Sequence, residues 1–290
     1  MVRGLWTVDC GPNSVNCNPQ LMNPVFEILP EIHERDVNRL FCEVSEESFS
    51  YFIQNTKSNL ITGLTVFHLD QKNNSEGGAL KKILNDRDLL DGNKEVFISY
   101  AYPDSLIVPS SFYEEEKNNE NLSLFYGDIA PGKILTDMID KKNMRCIYRV
   151  PEMVDNLIKE KFPDAVTSHQ YSSMIEKLSN SNSASVIFYQ HKIVVMLVAN
   201  GALKIIQSYH YTAPEDVVYH LLNIFELFNV EERKLILYGM IEKDSALFRE
   251  IHKYFLDISF GNLPGTCTYA DGLKEFPEHY FSHLYSLACG

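Results

Sequence analysis

The sequence predicts an α/β protein in which one βββαβαβ unit occurs twice. Three observations carry that expectation: an apolar run broken only by tight turns between residues 185 and 211, a capped helix with a single apolar stripe directly after it, and the return of the same pattern from Phe41 onward. In the second copy, Ser185–Tyr189, Lys192–Asn200 and Ala202–Tyr211 read as three antiparallel strands. Val194 to Val198 run without alternation, as expected of a strand covered on both faces, and Asn200-Gly201 is a two-residue hairpin turn. Thr212-Ala213-Pro214-Glu215 offers a hydroxyl acceptor, an early proline and an acid three residues after the threonine, which is the pattern of a capping box. The helix that follows carries Val217, Val218, Leu221, Leu222, Phe225 and Phe228 on one stripe. Lys234–Tyr238 is the next strand, Asp244 can cap a second helix, and Ile258–Phe260 closes the unit.

In the first copy the strands are Phe41–Val44, Phe49–Ile53 and Leu60–Leu69, followed by a helix at Ala79–Leu84 and a fourth strand at Glu95–Tyr100. Residues Tyr102 to Lys142 interrupt the scheme with prolines, a Glu114-Glu115-Glu116 run and asparagine-rich sequence; short strands are expected there at Leu106–Val108 and Leu122–Phe125. Cys146–Val150 then leads into a helix from Pro151, a strand near Ala165–Ser168 and a helix near Met174–Leu178. Asn180–Ser183 reads as a polar linker. The expected organisation is a disordered tail over residues 1–24, a first subdomain over 25–180 with its insertion around 102–142, and a second subdomain over 181–290. Met22 is an alternative translation start, and Ile28–Asn38 is expected to hold a short helix.

Composition narrows the function. The 290 residues carry 26 Lys and Arg against 39 Asp and Glu, a net charge of −13 that repels nucleic acid and anionic lipid. No apolar run is long enough to cross a membrane as a helix, and Met1–Trp6 is too short for a secretory signal, so the expected location is the cytoplasm. The 6 cysteines are scattered without a Cys-x-x-Cys pair and are expected to be reduced thiols.

Each unit has the strand and helix order of a ribonuclease-H-like sheet, and two such units make the actin-like ATPase (ASKHA) architecture, an analogy that by itself assigns no function. The segments Tyr209–Thr212, Pro214–Tyr219, Leu237–Gly239, Ile241–Ser245 and Phe276–Phe281, with Val108-Pro109, Phe112-Tyr113 and Tyr148–Pro151, resemble a bacterial family filed as domain of unknown function 3822, over about Phe41 to Cys289. The resemblance implies an actin-like ATPase fold of unassigned activity and brings no catalytic residues with it.

An ATP site in this fold wraps the first turn of each unit around phosphates, which calls for glycine at close backbone approach and an acid on the first strand. The candidate positions at the interdomain cleft are Ser45, Glu46 and Ser48 in the first turn, Gln190 and Lys192 in the second, and Gly239 after the fourth strand of the second unit. They depart from the pattern at once. The first turn has no glycine and sets Glu46 and Glu47 where a triphosphate would lie, each like-charge pair costing about 3 kcal/mol at ~5 Å. A metal held by Glu43, Glu46 and Glu47 would invert this; a solvated hairpin turn is the plainer reading. Lys192 reads as a surface lysine, and Gly239 is the single glycine where a pair would be wanted. His279 and His283 stand at metal-compatible spacing but lack a third ligand, and His220 reads as a packing residue. No cofactor is predicted, with ATP and Mg the one candidate pair. The expectation is a non-catalytic protein-binding or assembly adaptor with a degenerate nucleotide site, whose partner is another protein. The alternative is a divergent ATP-binding ATPase or kinase.

Overall fold

The computed structural model describes residues 23–30, 37–69, 77–127, 131–178 and 182–289. The chain divides into two compact units. The first runs to Met138 and takes in Asn143–Gln170 and Cys267–Glu275; the second holds Ile139–Lys142, Tyr171–Thr266 and the chain from Phe276. Almost all of the expected tail lies outside the described residues. So do most of the helix expected at Ile28–Asn38 and the first half of the linker expected at Asn180–Ser183; Ile28 ends a strand, Asn38 opens one, and Ser183 opens another instead of closing the linker.

In the first unit β1 (Phe26–Ile28), β2 (Asn38–Val44), β3 (Ser48–Asn55), β4 (Leu60–His68), α1 (Gly78–Asp86) and β5 (Glu95–Tyr100) come first in the chain. An insertion follows: β6 (Ser105–Pro109), α2 (Asn118–Tyr126), β7 (Gly132–Ile139) and β8 (Met144–Pro151). Then come α3 (Glu152–Lys161), β9 (Val166–His169) and α4 (Gln170–Glu176). The main sheet has the order β1-β4-β3-β2-β5-β9. β2 is its pivot, antiparallel to β3 and parallel to β5. Phe41 on β2 stacks on its register partners, 4.9 Å from Phe52 and 4.8 Å from Phe97. Ala79, Leu80, Ile83 and Leu84 are the buried stripe of α1.

The insertion builds a sheet of its own, β6-β8-β7, so it runs past Lys142 to the end of β8. The strand expected at Leu122–Phe125 is instead the end of α2. Helix wins because one inward residue per turn suffices there. Asn118 and Leu122, one turn apart, are the buried pair, and the Asn118 amide donates to Tyr113 Oη and Thr136 Oγ1.

The second unit has β10 (Ser183–Phe188), β11 (Lys192–Ala199), β12 (Ala202–His210), α5 (Pro214–Leu227), β13 (Lys234–Gly239), α6 (Ala246–His252) and β14 (Asp257–Phe260). Its sheet order is β12-β11-β10-β13-β14, the βββαβαβ arrangement. Val217, Leu221 and Phe225 of α5 pack with Val195, Leu197 and Leu235 in one cluster. Asn200 and Gly201 both adopt positive φ, 54° and 70°, as a two-residue hairpin of this hand requires. The caps differ from the expectation by one residue each. Asp216, not Glu215, accepts from the Thr212 and Ala213 amides at 2.9 Å, and Ser245, not Asp244, accepts from Phe248 N. β15 (Thr268–Tyr269), which returns to pair with β4, α7 (Asp271–Lys274) and α8 (Ser282–Tyr285) complete the chain.

The cysteines correct a second expectation. Cys42 and Cys146 are buried and take no part in a disulfide, and burial pushes the Cys42 thiol far up. Cys267 and Cys289 are disulfide-bonded, so reduced thiols do not describe them; Cys10 and Cys17 lie outside the described residues.

Asp155 on α3, at 0% exposure, ties the insertion to the main sheet. It accepts from Tyr100 Oη at 3.2 Å, Lys133 Nζ at 3.0 Å and Lys159 Nζ at 2.6 Å. Burial alone would raise its pKa, but the bonds from Lys159 and Lys133 outweigh it and hold the carboxyl below its ordinary value. A carboxyl depressed in the folded state stabilises above its unfolded pKa and stops doing so as pH falls through the folded one. Asp155→Asn is therefore expected to lose about 1.5–3 kcal/mol in urea unfolding at pH 7, with the gap to wild type closing below about pH 4.

Candidate functional site

The first turn follows from its two serines. Ser45 N donates to Ser48 O at 2.9 Å, closing the hairpin. Ser45 Oγ then accepts from Glu47 N at 3.2 Å and Ser48 N at 3.0 Å, and lies 2.9 Å from Ser48 Oγ. The amides that would face a phosphate are thus already bonded within the turn. Ser45, Glu47 and Ser48 are buried and Glu46 is partly so, which corrects the expectation of a solvated hairpin. Glu47 Oε2 is buried without a hydrogen-bond partner. Glu43, buried on β2, accepts from Gln170 Nε2 at 3.3 Å. Burial, and after it the Glu46 charge, pushes the neighbouring Tyr102 phenol up. The turn is acidic, closed and short of outward donors, so an anion placed on it would meet carboxylate before amide.

In the second unit Tyr189 N donates to Lys192 O at 2.9 Å, leaving Gln190 and His191 exposed at the tip. Lys192 is not at the surface as expected: it is 0% exposed, with Nζ 5.1 Å from the Tyr189 ring centroid. Its stem belongs to a strand covered on both faces, and the ring receives the ammonium. Gly239 sits at φ 83°, where an added Cβ would lie 2.3 Å from Phe188 O. That glycine lets the end of β13 close onto β10, and Met240 N donates to Phe188 O at 3.3 Å. One strand over, the Tyr238 ring covers the backbone of Gly261, where a Cβ would fall 2.0 Å from ring carbon Cε1.

Ser45, Glu46 and Ser48 thus come together in one unit, and Gln190, Lys192 and Gly239 gather around Phe188-Tyr189 in the other. Sequence reasoning missed the double acceptor role of Ser45, although serine at the head of a four-residue turn is a local signal for it. It also missed Asp137, which accepts from Tyr148 Oη at 3.1 Å and from His169 N at 2.6 Å. His279 Nε2 lies 2.8 Å from Ile241 O, and His283 packs edge-on against Tyr189, so the two histidines serve packing, as does His220, stacked on Tyr209. Among the described residues no group of three His, Cys, Asp or Glu side chains could hold a metal ion.

The family model for Protein of unknown function (DUF3822) matches residues 30–258. The chain belongs to that family. A Bacteroides thetaiotaomicron protein of actin-like ATPase fold and unknown function is similar at 19% identity and TM-score 0.73, over 88% of this chain and 96% of its own. The PilM–PilN type IV pilus biogenesis complex is similar at 9% identity and TM-score 0.54, over 87% of this chain and 98% of its own. No curated protein matches. At such identities the likeness establishes the fold: this DUF3822 chain has the actin-like ATPase fold. No described helix is long and apolar enough to cross a membrane.

The two glycines with positive φ in the second unit separate cleanly. Gly239→Ala is expected to cost on the order of 3 kcal/mol in urea unfolding, from left-handed strain plus the clash with Phe188. Gly201→Ala, with nothing within 4 Å of its Cβ, is expected to cost only about 1–2 kcal/mol. Equal losses would assign Gly239 a role other than strand closure.

Proposed function

We propose that this DUF3822 protein is a non-catalytic protein-binding or assembly adaptor, working in the cytoplasm, that keeps the actin-like scaffold and has lost the triphosphate grip. The observation that carries this reading is Ser45 Oγ accepting both the Glu47 and Ser48 amides, with an unpartnered Glu47 carboxylate oxygen buried in the same turn. Supporting it are the hairpin at Gln190 and Lys192, whose lysine is buried against Tyr189, and Gly239, whose open side is filled by the Phe188 backbone. The likeness to PilM, whose structure is that of a complex with PilN, fits a protein partner. The disulfide-bonded Cys267 and Cys289 pull against the cytoplasmic part of the reading.

A thermal-shift series with ATP, ADP and GTP, each with Mg, tests it. A bound nucleotide at tenfold its dissociation constant would stabilise the fold by about 1.4 kcal/mol. No shift is expected with any of them. A saturable shift with ATP would replace this reading with that of a divergent ATP-binding protein.

A further inference from the structure

The insertion of the first unit carries a surface that its own fold does not use. α2 turns Asn118 and Leu122 inward, and its Tyr126 hydroxyl donates to Ser105 O at 2.8 Å, which fixes the helix by one side. Its other side leaves Leu124 79% and Phe125 69% exposed, and Phe112, just before the helix, is 76% exposed. Glu120 stands one turn before Leu124 on the same face. Leu124 and Phe125 are consecutive on the last turn of α2, and Asn118 Nδ2, at the start of the helix, donates to Tyr113 Oη, which fixes the segment that carries Phe112 to the other end of the helix. Around them lie exposed Glu114, Glu115, Glu116 and Glu120. Lys117 is the sole cation between Ser110 and Tyr126, and it is paired with Glu114 at 2.7 Å, which leaves four carboxylates against one ammonium and a net of −3. Arg145 is already committed to the Tyr113 ring, 5.8 Å from its centroid.

We propose that this face docks a segment of a partner protein in which basic side chains flank two or three apolar anchors, as on one side of a basic amphipathic helix. The chemistry selects that occupant. Large exposed apolar side chains rimmed by one sign of charge favour a ligand with matching anchors and the opposite charge. A second copy of the same face is disfavoured, since it would bring net −3 against net −3 in a chain of net charge −13. The proposal rests on the protein-binding reading above and names the surface and the partner's character.

The test uses the full chain and a fluorescein-labelled amphipathic helical peptide of leucine and lysine, about 18 residues long, with its leucine–glutamate counterpart as control. Anisotropy titration is expected to show binding of the lysine peptide that weakens with salt, and none of the glutamate peptide. Leu124→Ser/Phe125→Ser and, separately, Glu114→Lys/Glu115→Lys/Glu116→Lys are each expected to lose about tenfold or more in affinity. Their thermal midpoints should stay close to the wild-type value, because the altered side chains are exposed and the Glu114–Lys117 pair that the second variant breaks is a surface pair of little weight. Hydrogen exchange should show peptide protection within residues 110–126. Unchanged affinity in either variant, equal binding of the glutamate peptide, or a wild-type dimer that Leu124→Ser/Phe125→Ser dissolves would overturn the proposal. Protection confined to another part of the chain overturns this surface while leaving the protein-binding reading in place. A nucleotide thermal shift overturns the loss of the triphosphate grip, on which peptide binding at residues 110–126 does not depend.

Discussion

The two larger sheets each depend on the double pairing of one strand, β10 in the second unit and β2 in the first. β10 meets β11 antiparallel on one side and β13 parallel on the other, as β2 meets β3 and β5. A strand placed so has both rows of backbone groups engaged and both faces covered, which is why Ala184, Val186, Phe188 and the whole of β11 are buried. The constraint reaches the strand ends. For β13 to follow β10 to its last residue, Gly239 must approach Phe188 closer than any side chain permits. Strand pairing by itself requires a glycine at this position.

The same economy governs the first turn. A phosphate-binding hairpin keeps its amides free and holds them outward; Ser45 instead turns two of them inward onto its own hydroxyl. Once bonded there, those amides can serve a ligand only by giving up hydrogen bonds within a buried turn, at a net cost of about 0.5–1.5 kcal/mol each. The carboxylates of Glu46 and Glu47 add electrostatic opposition to that loss. Electrostatics and hydrogen bonding therefore point the same way at this turn.

The repeated unit was legible in the sequence because its signals are local and periodic. The run from Val194 to Val198, the Asn200-Gly201 turn and the stripe from Val217 to Phe225 each state their element without help from distant residues. The failures share the opposite property. Leu122–Phe125 is a short apolar run whose period cannot separate helix from strand, and what decides it is that α2, with Leu122 as its buried apolar residue, packs on β8, a strand that comes later in the chain. The acid of the capping box is Asp216 and not Glu215 because the N-cap is Ala213, one residue later than Thr212, and the helix begins at Pro214. Lys192 reads as exposed from its place beside a polar tip, whereas its burial is set by the Tyr189 ring and by cover on both faces of β11. Of the candidate site, the positions could be named from the turns; the internal bonding of Ser45 could not, because it depends on the geometry that the turn adopts.

The insertion interrupts the first unit between β5 and α3 without disturbing the sheet, and its fastening explains how. Lys133 on β7 and Tyr100 at the end of β5 both bond Asp155 on α3, while Asp137, four residues along β7, takes the Tyr148 hydroxyl and the His169 amide at the end of β9. One strand of the insertion is therefore pinned to β5, β9 and α3 at once by two carboxylates. A surface carried on such a base presents its side chains already ordered. Rigidity of that kind lowers the entropy lost when a partner docks, so three exposed apolar side chains on this insertion can contribute more to affinity than the same three on an unsupported loop.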